Sequence, residues 1–340
     1  MSDSRLPLPK AFEPLKDYLV EKPEPLRKTL TVQVVVARNI LDYTVLRTEE
    51  TRELNTTATP LSITRPEPTL RVVFLGGKQK APETRTLGAI LRTANETLGR
   101  NDAPICYLKD KLCMHCPRCA LFGAISTRGG TQELNFKHRI EYSSAYSLLP
   151  YDEIEESITF NAIDEVTTRV GQALGETSTV APANIFPSIV TLNTVTWKEL
   201  LLALKTILAT RSYGAETRTR GDVLNIILGI AAGWEEIISP LELTLELYDI
   251  FDTNKNIDEK DTNKSIDEKD TNKSIDEKQI AKILRNYKKK AAFVNRTKVL
   301  SPKEVSQILK TVQDYDLTKE FLEEAYKDVD EFLAKARSLE

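Results

Sequence analysis

Thr29-Leu-Thr-Val-Gln-Val-Val-Val-Ala-Arg38 is the stretch on which the fold turns. Six of its ten residues are β-branched, and such side chains pack well on a pleated surface, so the segment reads as a buried strand. Outward from it, Leu70-Arg-Val-Val-Phe-Leu75 reads as a second strand closed by Gly76-Gly77. The spacing of Leu87, Ile90, Leu91, Ala94 and Leu98 predicts a helix, with Thr86 as its cap and Gly99 at its end. Residues 43–70 mix Thr, Arg, Glu and Pro and read as extended connections. Residues 134–146 alternate irregularly and are expected to form hairpin strands. Thr196 with Glu199 three residues on is a capping box opening a helix through Trp197, Leu200, Leu201, Leu204 and Leu208. Residues 223–233 are an apolar strand or a buried helix, which periodicity cannot separate. Ser239-Pro240 with Glu242 opens a helix, although the alternation of Leu241, Leu243, Leu245 and Leu247 argues for a strand. Strands, a helix, strands and a helix in this order give an α+β fold with inserted loops.

The 340 residues divide into four parts. An irregular lead-in, 1–28, carries five prolines, and the main body runs from 29 to 250. A charged linker, 251–279, contains three tandem nonapeptides, DTNKNIDEK, DTNKSIDEK and DTNKSIDEK. A C-terminal helical segment, 280–340, includes the start signal Ser301-Pro302-Lys-Glu304. The nonapeptides resemble half an EF-hand loop, with Asp252, Asn254, Asn256 and Asp258 in ligand positions. Ile257 replaces the turn glycine and Asn263 the bidentate glutamate, so a solvated linker is the reading.

The longest nearly apolar run, Val223 to Trp234, is far shorter than the ~20 residues a membrane span needs, and no apolar signal segment follows Met1. A cytoplasmic protein without a membrane partner is expected. The net charge of −3 conceals an uneven distribution: 22 Lys/Arg against 15 Asp/Glu in residues 1–140, but 12 against 25 in 141–278. A near-neutral total of this kind leaves room for a basic face that binds nucleic acid.

All four cysteines fall in one short stretch, Cys106-x6-Cys113-x2-Cys116-x2-Cys119. A disulfide framework would scatter them, and Cys-x2-Cys turns present two thiolates at the separation zinc needs. An iron–sulfur cluster is the rival, but the fourth cysteine of a ferredoxin run lies downstream and here it lies upstream. His115 falls inside the Cys113/Cys116 turn and is expected to point away. Four protein ligands leave no open position, so the Zn2+ site would be structural.

Arg128-Gly129-Gly130-Thr131, Lys137-His138-Arg139, Arg211-Ser-Tyr213 and Arg218-Thr-Arg220-Gly221 place cations and hydroxyls beside glycines or strand ends. Arginines at loop ends are most often solvated surface, but four such clusters in one chain suit contacts to phosphate. No Ser-His-Asp, phosphate-loop or dinucleotide pattern is present, and Gly76-Gly77-Lys78 is too short to count as one.

Cys113-x2-Cys-x2-Cys119-Ala-Leu-Phe-Gly123-Ala, then Arg128-Gly-Gly, then Ser212-Tyr-Gly-Ala-Glu-Thr-Arg-Thr-Arg-Gly221 resemble the backbone subunit of type I-D CRISPR Cascade, a RAMP-superfamily protein. The resemblance covers roughly residues 29–250 together with the C-terminal helices and implies a palm like an RNA-recognition motif (ferredoxin-like), with a zinc-containing insertion at about 100–125. It also implies a thumb hairpin at about 126–180. Copies would stack along one crRNA with other Cascade subunits and present the guide to target DNA. Carried onto this chain, Arg38, Asn39, Arg128, Gly129, Gly130, Lys137, His138, Arg139, Arg211, Arg218 and Arg220 become the RNA-facing residues. A ribonuclease acting on guide-bound target RNA through a loop aspartate is the alternative, and no residue here matches that aspartate by motif.

Overall fold

The computed structural model describes residues 5–47, 53–108, 111–125, 135–163, 170–216, 219–260 and 275–338, without the side chains of 160–163, 170–174 and 253–260. In chain order the elements are β1 (Thr31–Ile40), β2 (Thr56–Pro60), β3 (Pro68–Phe74), α1 (Gly76–Thr97), α2 (Pro117–Phe122), β4 (Ala124–Ile125), β5 (Asn135–Phe136), β6 (Ile140–Tyr142) and β7 (Ala145–Tyr146). They continue as β8 (Glu155–Ile163), β9 (Val170–Val180), β10 (Ile185–Asn193), α3 (Trp197–Ala209), β11 (Val223–Gly233), α4 (Pro240–Lys260), α5 (Glu277–Lys288), β12 (Lys298–Val299), α6 (Pro302–Asp314) and α7 (Lys319–Arg337).

The main sheet is antiparallel, in the order β12-β11-β1-β10-β6. β1 is its centre: Thr31 to Asn39 face Asn193 to Ile185 of β10, and Thr31 to Ile40 face Gly233 to Val223 of β11. A register shift between Val35 and Val36 leaves Leu228 as the extra residue of β11. Helices cover both faces. Val32, Val34 and Val36 pack with Leu87, Leu91, Leu200, Leu204, Ile308 and Phe321 from α1, α3, α6 and α7. Val35 and Ala37 pack on the opposite side with Leu243, Leu247, Ile280 and Leu284 from α4 and α5. Both faces of β1 are therefore dry, which is why it reads as an unbroken apolar run rather than an alternation.

The ambiguous 223–233 segment is strand β11, while 240–260 is helix α4, whose capping box Ser239/Glu242 and inward Leu243 and Leu247 override the local leucine alternation. Helix α1 starts at Gly76, ten residues before the expected cap, and runs over Pro82. Burial of Gln79 and Glu83 outweighs the poor propensity of its first turns. The expected hairpin at 134–146 does not form: β5, β6 and β7 join three different sheets. The lead-in is seated rather than loose, because Phe12 and Leu15 on a 3₁₀ turn are fully buried in the main core.

The long hairpin is β8–β9, Glu155 opposite Val180, bridged at its base by Thr44. Within the nonapeptides, Asp252 to Lys260 continue α4, Asp276 caps α5, and 261–274 lie outside the described residues. No helix among the described residues is long and apolar enough to cross a membrane.

Candidate nucleic-acid interface and cysteine centre

The segment Arg211–Asp222 folds back on itself through Tyr213 N–H to Gly221 O (2.9 Å) and a bridge between Ser212 and Asp222. Two left-handed glycines permit this. A Cβ on Gly214 (φ +52°) would sit 2.4 Å from Val45 O, and one on Gly221 (φ +61°) 1.7 Å from Tyr213 O. The loop thus lies against the β1–β2 connection, with Val45 N–H donating to Gly214 O at 3.3 Å.

Between this loop, the β1–β2 connection and the first turns of α1 runs a groove of about 530 Å³. Its walls carry Arg47, Lys78, Arg85, Ser212 and Glu216. Lys78 and Arg85 are seven residues apart and share the outer face of α1 with Ala81 and Pro82. Leu75 provides no side-chain cap, and the amides of Gly77 and Lys78 have no partner among the described residues. Ser144 Oγ accepts from Gly76 N–H (3.3 Å), so the start of α1 is capped in part, and its two remaining amides beside cations favour an anion. Glu216, the carboxylate lining the groove, is ion-paired with Arg47.

Beneath the groove lies a buried polar network. Arg38, fully buried, donates to Gln79 Oε1 (3.1 Å), Ser188 Oγ (3.2 Å), Tyr213 OH (3.0 Å) and Asn225 Oδ1 (2.9 Å), and pairs with Glu83 at 2.8 Å. Glu83 also accepts from Tyr213 OH (2.7 Å) and Tyr142 OH (2.5 Å). Burial works to discharge Arg38, but Glu83 and the two tyrosines overcome it and drive its pKa up. The Tyr213 and Tyr142 hydroxyls are raised by burial and by Glu83. The network ties β1, α1, the 211–222 loop and β11 together, and so sets the width of the groove above it.

The expected RNA-facing residues divide accordingly. Arg38 is a correction: its charge is spent on Glu83 in the core rather than shown to a ligand. Arg139 is a second correction, being buried, paired with Glu199 of the α3 capping box, and bonded to Ala120 O (3.2 Å) and Thr194 O (3.1 Å). Asn39 is half-buried on the opposite face of the sheet from Arg38. Arg211 pairs with Asp222 (2.9 Å), which holds that carboxyl below its ordinary range. Arg220 is exposed beside the groove, and its carbonyl accepts from Ser212 Oγ.

Lys137 and His138 lie elsewhere, with Lys80 on the far side of α1 from Lys78. Burial, then Lys80, push the His138 imidazole down. Arg128, Gly129, Gly130 and Arg218 lie outside the described residues. Sequence reasoning missed Arg47, Lys78 and Arg85. Only Gly76-Gly77-Lys78 gave a signal; it is too short to count by itself, and the Arg211–Gly221 loop across the groove from it is remote in sequence.

The cysteines converge. The sulfurs of Cys106, Cys113, Cys116 and Cys119 all lie within 4.8 Å of one another. Cys106 Sγ is 3.4 Å from Cys119 Sγ and 3.6 Å from Cys116 Sγ. Four thiolates on one ion with ~2.3 Å bonds stand about 3.8 Å apart, so the donor set fits a single tetrahedral zinc. A cluster of several irons would hold them farther apart. Hydrogen bonds from the other three thiols drive Cys106 down, while the bond to Cys106 drives Cys113 and Cys116 up, and Arg118 Nη2 lies 2.9 Å from Cys106 Sγ. His115 turns away, its Nδ1 2.7 Å from Asp330 of α7. α2 follows directly, with Pro117 at its first turn and Cys119 buried.

No curated protein matches the chain by sequence. In fold it is similar to the crystal structure of Thermofilum pendens Csc2, at a TM-score of 0.65 and 18% identity over 98% of both chains. Weaker likenesses, at TM-scores of 0.43 and 0.40, are to a chain of a CRISPR RNA-guided surveillance complex and one of a type IV-B CRISPR complex. The first is 12% identical over 76% of this chain and 83% of that one, the second 14% identical over 57% and 90%. A family model described as Csc2 Crispr matches residues 18–326, a span that takes in the sheet, the cysteine centre and the groove. On that match, the chain belongs to the Csc2 family of CRISPR proteins.

Proposed function

We propose that this chain is a non-catalytic, guide-RNA-binding backbone subunit of a type I-D CRISPR interference complex. Several copies stack along one crRNA in the cytoplasm and present it, with other Cascade subunits, for pairing with target DNA. The observation that carries this reading is the groove, where Lys78 and Arg85 on the first turns of α1 and Arg47 stand opposite the glycine-pinned 211–222 loop. Such a wall grips phosphates without reading bases, which leaves sequence to base pairing.

The palm is read as RNA-recognition-motif-like. Taking β1, α1, β6, β10, α3 and β11 as a β-α-β-β-α-β unit, its strands lie in the order fourth, first, third, second, with both helices on one face. The β8–β9 hairpin serves as the thumb. Cys106, Cys113, Cys116 and Cys119 hold a structural zinc, which when bound cross-links a segment whose apolar residues pack into the main core rather than into a core of its own. Arg139 and Arg118 brace that segment against α3 and the sulfurs.

Nucleic acid extracted from the purified protein tests the reading. A discrete short RNA is expected, and its absence would contradict it. Incubating the loaded complex with complementary RNA and a divalent metal separates the nuclease alternative, since regular cuts would require a cleaving residue.

A further inference from the structure

The 25 residues from Gln279 to Lys303 contain eight Lys/Arg and no Asp or Glu, in a chain that carries more acids than bases. They form α5, the turn after it and β12. α5 buries Ile280, Ala281, Ile283, Leu284 and Tyr287 and turns its cations outward. Among the described residues, none of Lys282, Arg285, Lys288, Lys289, Lys290 and Arg296 forms an ion pair. A solvated basic helix needs no ligand, but a second feature adjoins this one. Trp234 and Phe293 are 38% and 49% exposed with ring centroids 5.8 Å apart, and the Arg296 guanidinium lies 5.0 Å over the Trp234 ring. The backbone holds this pair in place: Glu235 Oε1 accepts from Phe293 N–H, and Gly233 abuts Arg296 and Thr297.

Trp234 follows the last residue of β11, whose first residue, Val223, adjoins the 211–222 loop. At ~3.3 Å per residue the strand separates the two features by about 33 Å. The patch is therefore at the other pole of the sheet from the groove, out of reach of a phosphate lying there.

Partly exposed aromatic rings beside cations that form no ion pair are what single-stranded nucleic acid engages, bases on the open ring surface and phosphates on lysines; the Lys290 ammonium lies 5.0 Å over the Tyr287 ring. We infer that Trp234 and Phe293, with Lys288, Lys289, Lys290 and Arg296, form a second contact site for single-stranded nucleic acid, separate from the groove. The inference does not rest on the groove's assignment.

Trp234 is also the reporter, because the only other tryptophan, Trp197, is buried. Titrating the full chain with a short oligo(dT) should quench tryptophan emission. Lys78→Ala with Arg85→Ala, at the groove, should leave that quenching unchanged. Lys288→Gln, Lys289→Gln and Lys290→Gln together should weaken it and lower the salt slope by up to about two, at ~0.7 per single-strand phosphate. In the groove double variant, Trp234→Ala with Phe293→Ala should weaken binding of a labelled oligo(dT) about tenfold, and Trp234→Phe should restore most of it. No quenching, or quenching indifferent to the three lysines, would overturn the inference. Equal quenching by duplex DNA or by polyglutamate would overturn it too, by assigning the patch to shape-blind charge or to an acidic protein partner. A failure here with groove binding intact leaves the guide-RNA reading standing, and the converse holds.

Discussion

The two faces of the first turns of α1 make opposite uses of charge. Gln79 and Glu83 point inward and meet a buried arginine, Arg38, in a network of fixed partners. Lys78 and Arg85 point outward into a groove, where a single carboxylate is already taken by Arg47. The inner charges are matched within the chain and serve stability; the outer two form no ion pair among the described residues and, on the function proposed above, serve a ligand. Mutations on the two faces should therefore separate cleanly, one set moving stability and the other moving RNA affinity.

The largest effect belongs to the inner face. Glu83→Gln leaves the Arg38 charge buried without its counter-ion, and such losses cost about 3–5 kcal/mol. Urea unfolding should show this. A loss below about 1 kcal/mol would mean that Arg38 finds water, erasing the contrast between the faces. Replacing Arg38 by Met and Glu83 by Gln together should cost less than Glu83→Gln alone, because no charge is then stranded.

Next comes the cysteine centre. Cys116→Ser should release about one zinc per chain by elemental analysis and expose residues 106–122 to protease, with the central sheet still folded. Retained metal, or iron with visible absorbance, would contradict a single zinc site.

The smallest effects lie at the margin between the two regimes. Arg211→Gln removes a half-exposed pair with Asp222 and should cost ~0–1 kcal/mol. The Asp222 carboxyl is held below its unfolded value, so this contribution is present at neutral pH and fades as acid protonates it. His138 has the opposite chemistry with the same slope. Its folded pKa is below the unfolded ~6.5, so the unfolded chain binds the proton first and stability falls as pH drops through that range. His138→Gln should flatten the melting temperature between neutral and mildly acidic pH, and an unchanged slope would show that the imidazole is not held in its neutral form.

How far the sequence carried depended on whether a signal was local. The capping boxes at Thr196 and Ser301 and the Thr29–Arg38 run are local, and α3, α6 and β1 stand where they predict. The cysteine spacing is local as well, and the sulfurs converge. Helix α1 begins earlier than its own residues signal because what starts it at Gly76 is the tertiary pairing of Glu83 with Arg38, 45 residues earlier in the chain. Arg38 and Arg139 read as ligand contacts because depth leaves no mark beside an arginine. Their partners Glu83 and Glu199 are remote in sequence: nothing distinguishes Glu83 from a surface acid, and Glu199 is legible only as the capping-box residue of α3, not as a partner of Arg139. Lys78 and Arg85 escape a sequence reading for the reverse reason, since their site exists only where α1 meets a loop more than 120 residues downstream.

RNA affinity as a function of salt, measured on the wild-type chain and on Lys78→Ala with Arg85→Ala, tests the outer face directly. Each phosphate that is no longer neutralised should lower the slope of log K against log salt by ~0.7, so the double variant should bind every guide sequence more weakly with a slope reduced by about 1.4. Its urea midpoint should stay within about 0.5 kcal/mol of wild type, as for surface changes. An unchanged slope with unchanged affinity would contradict the groove as the guide's seat. So would a slope change seen in Glu83→Gln and absent from Lys78→Ala with Arg85→Ala.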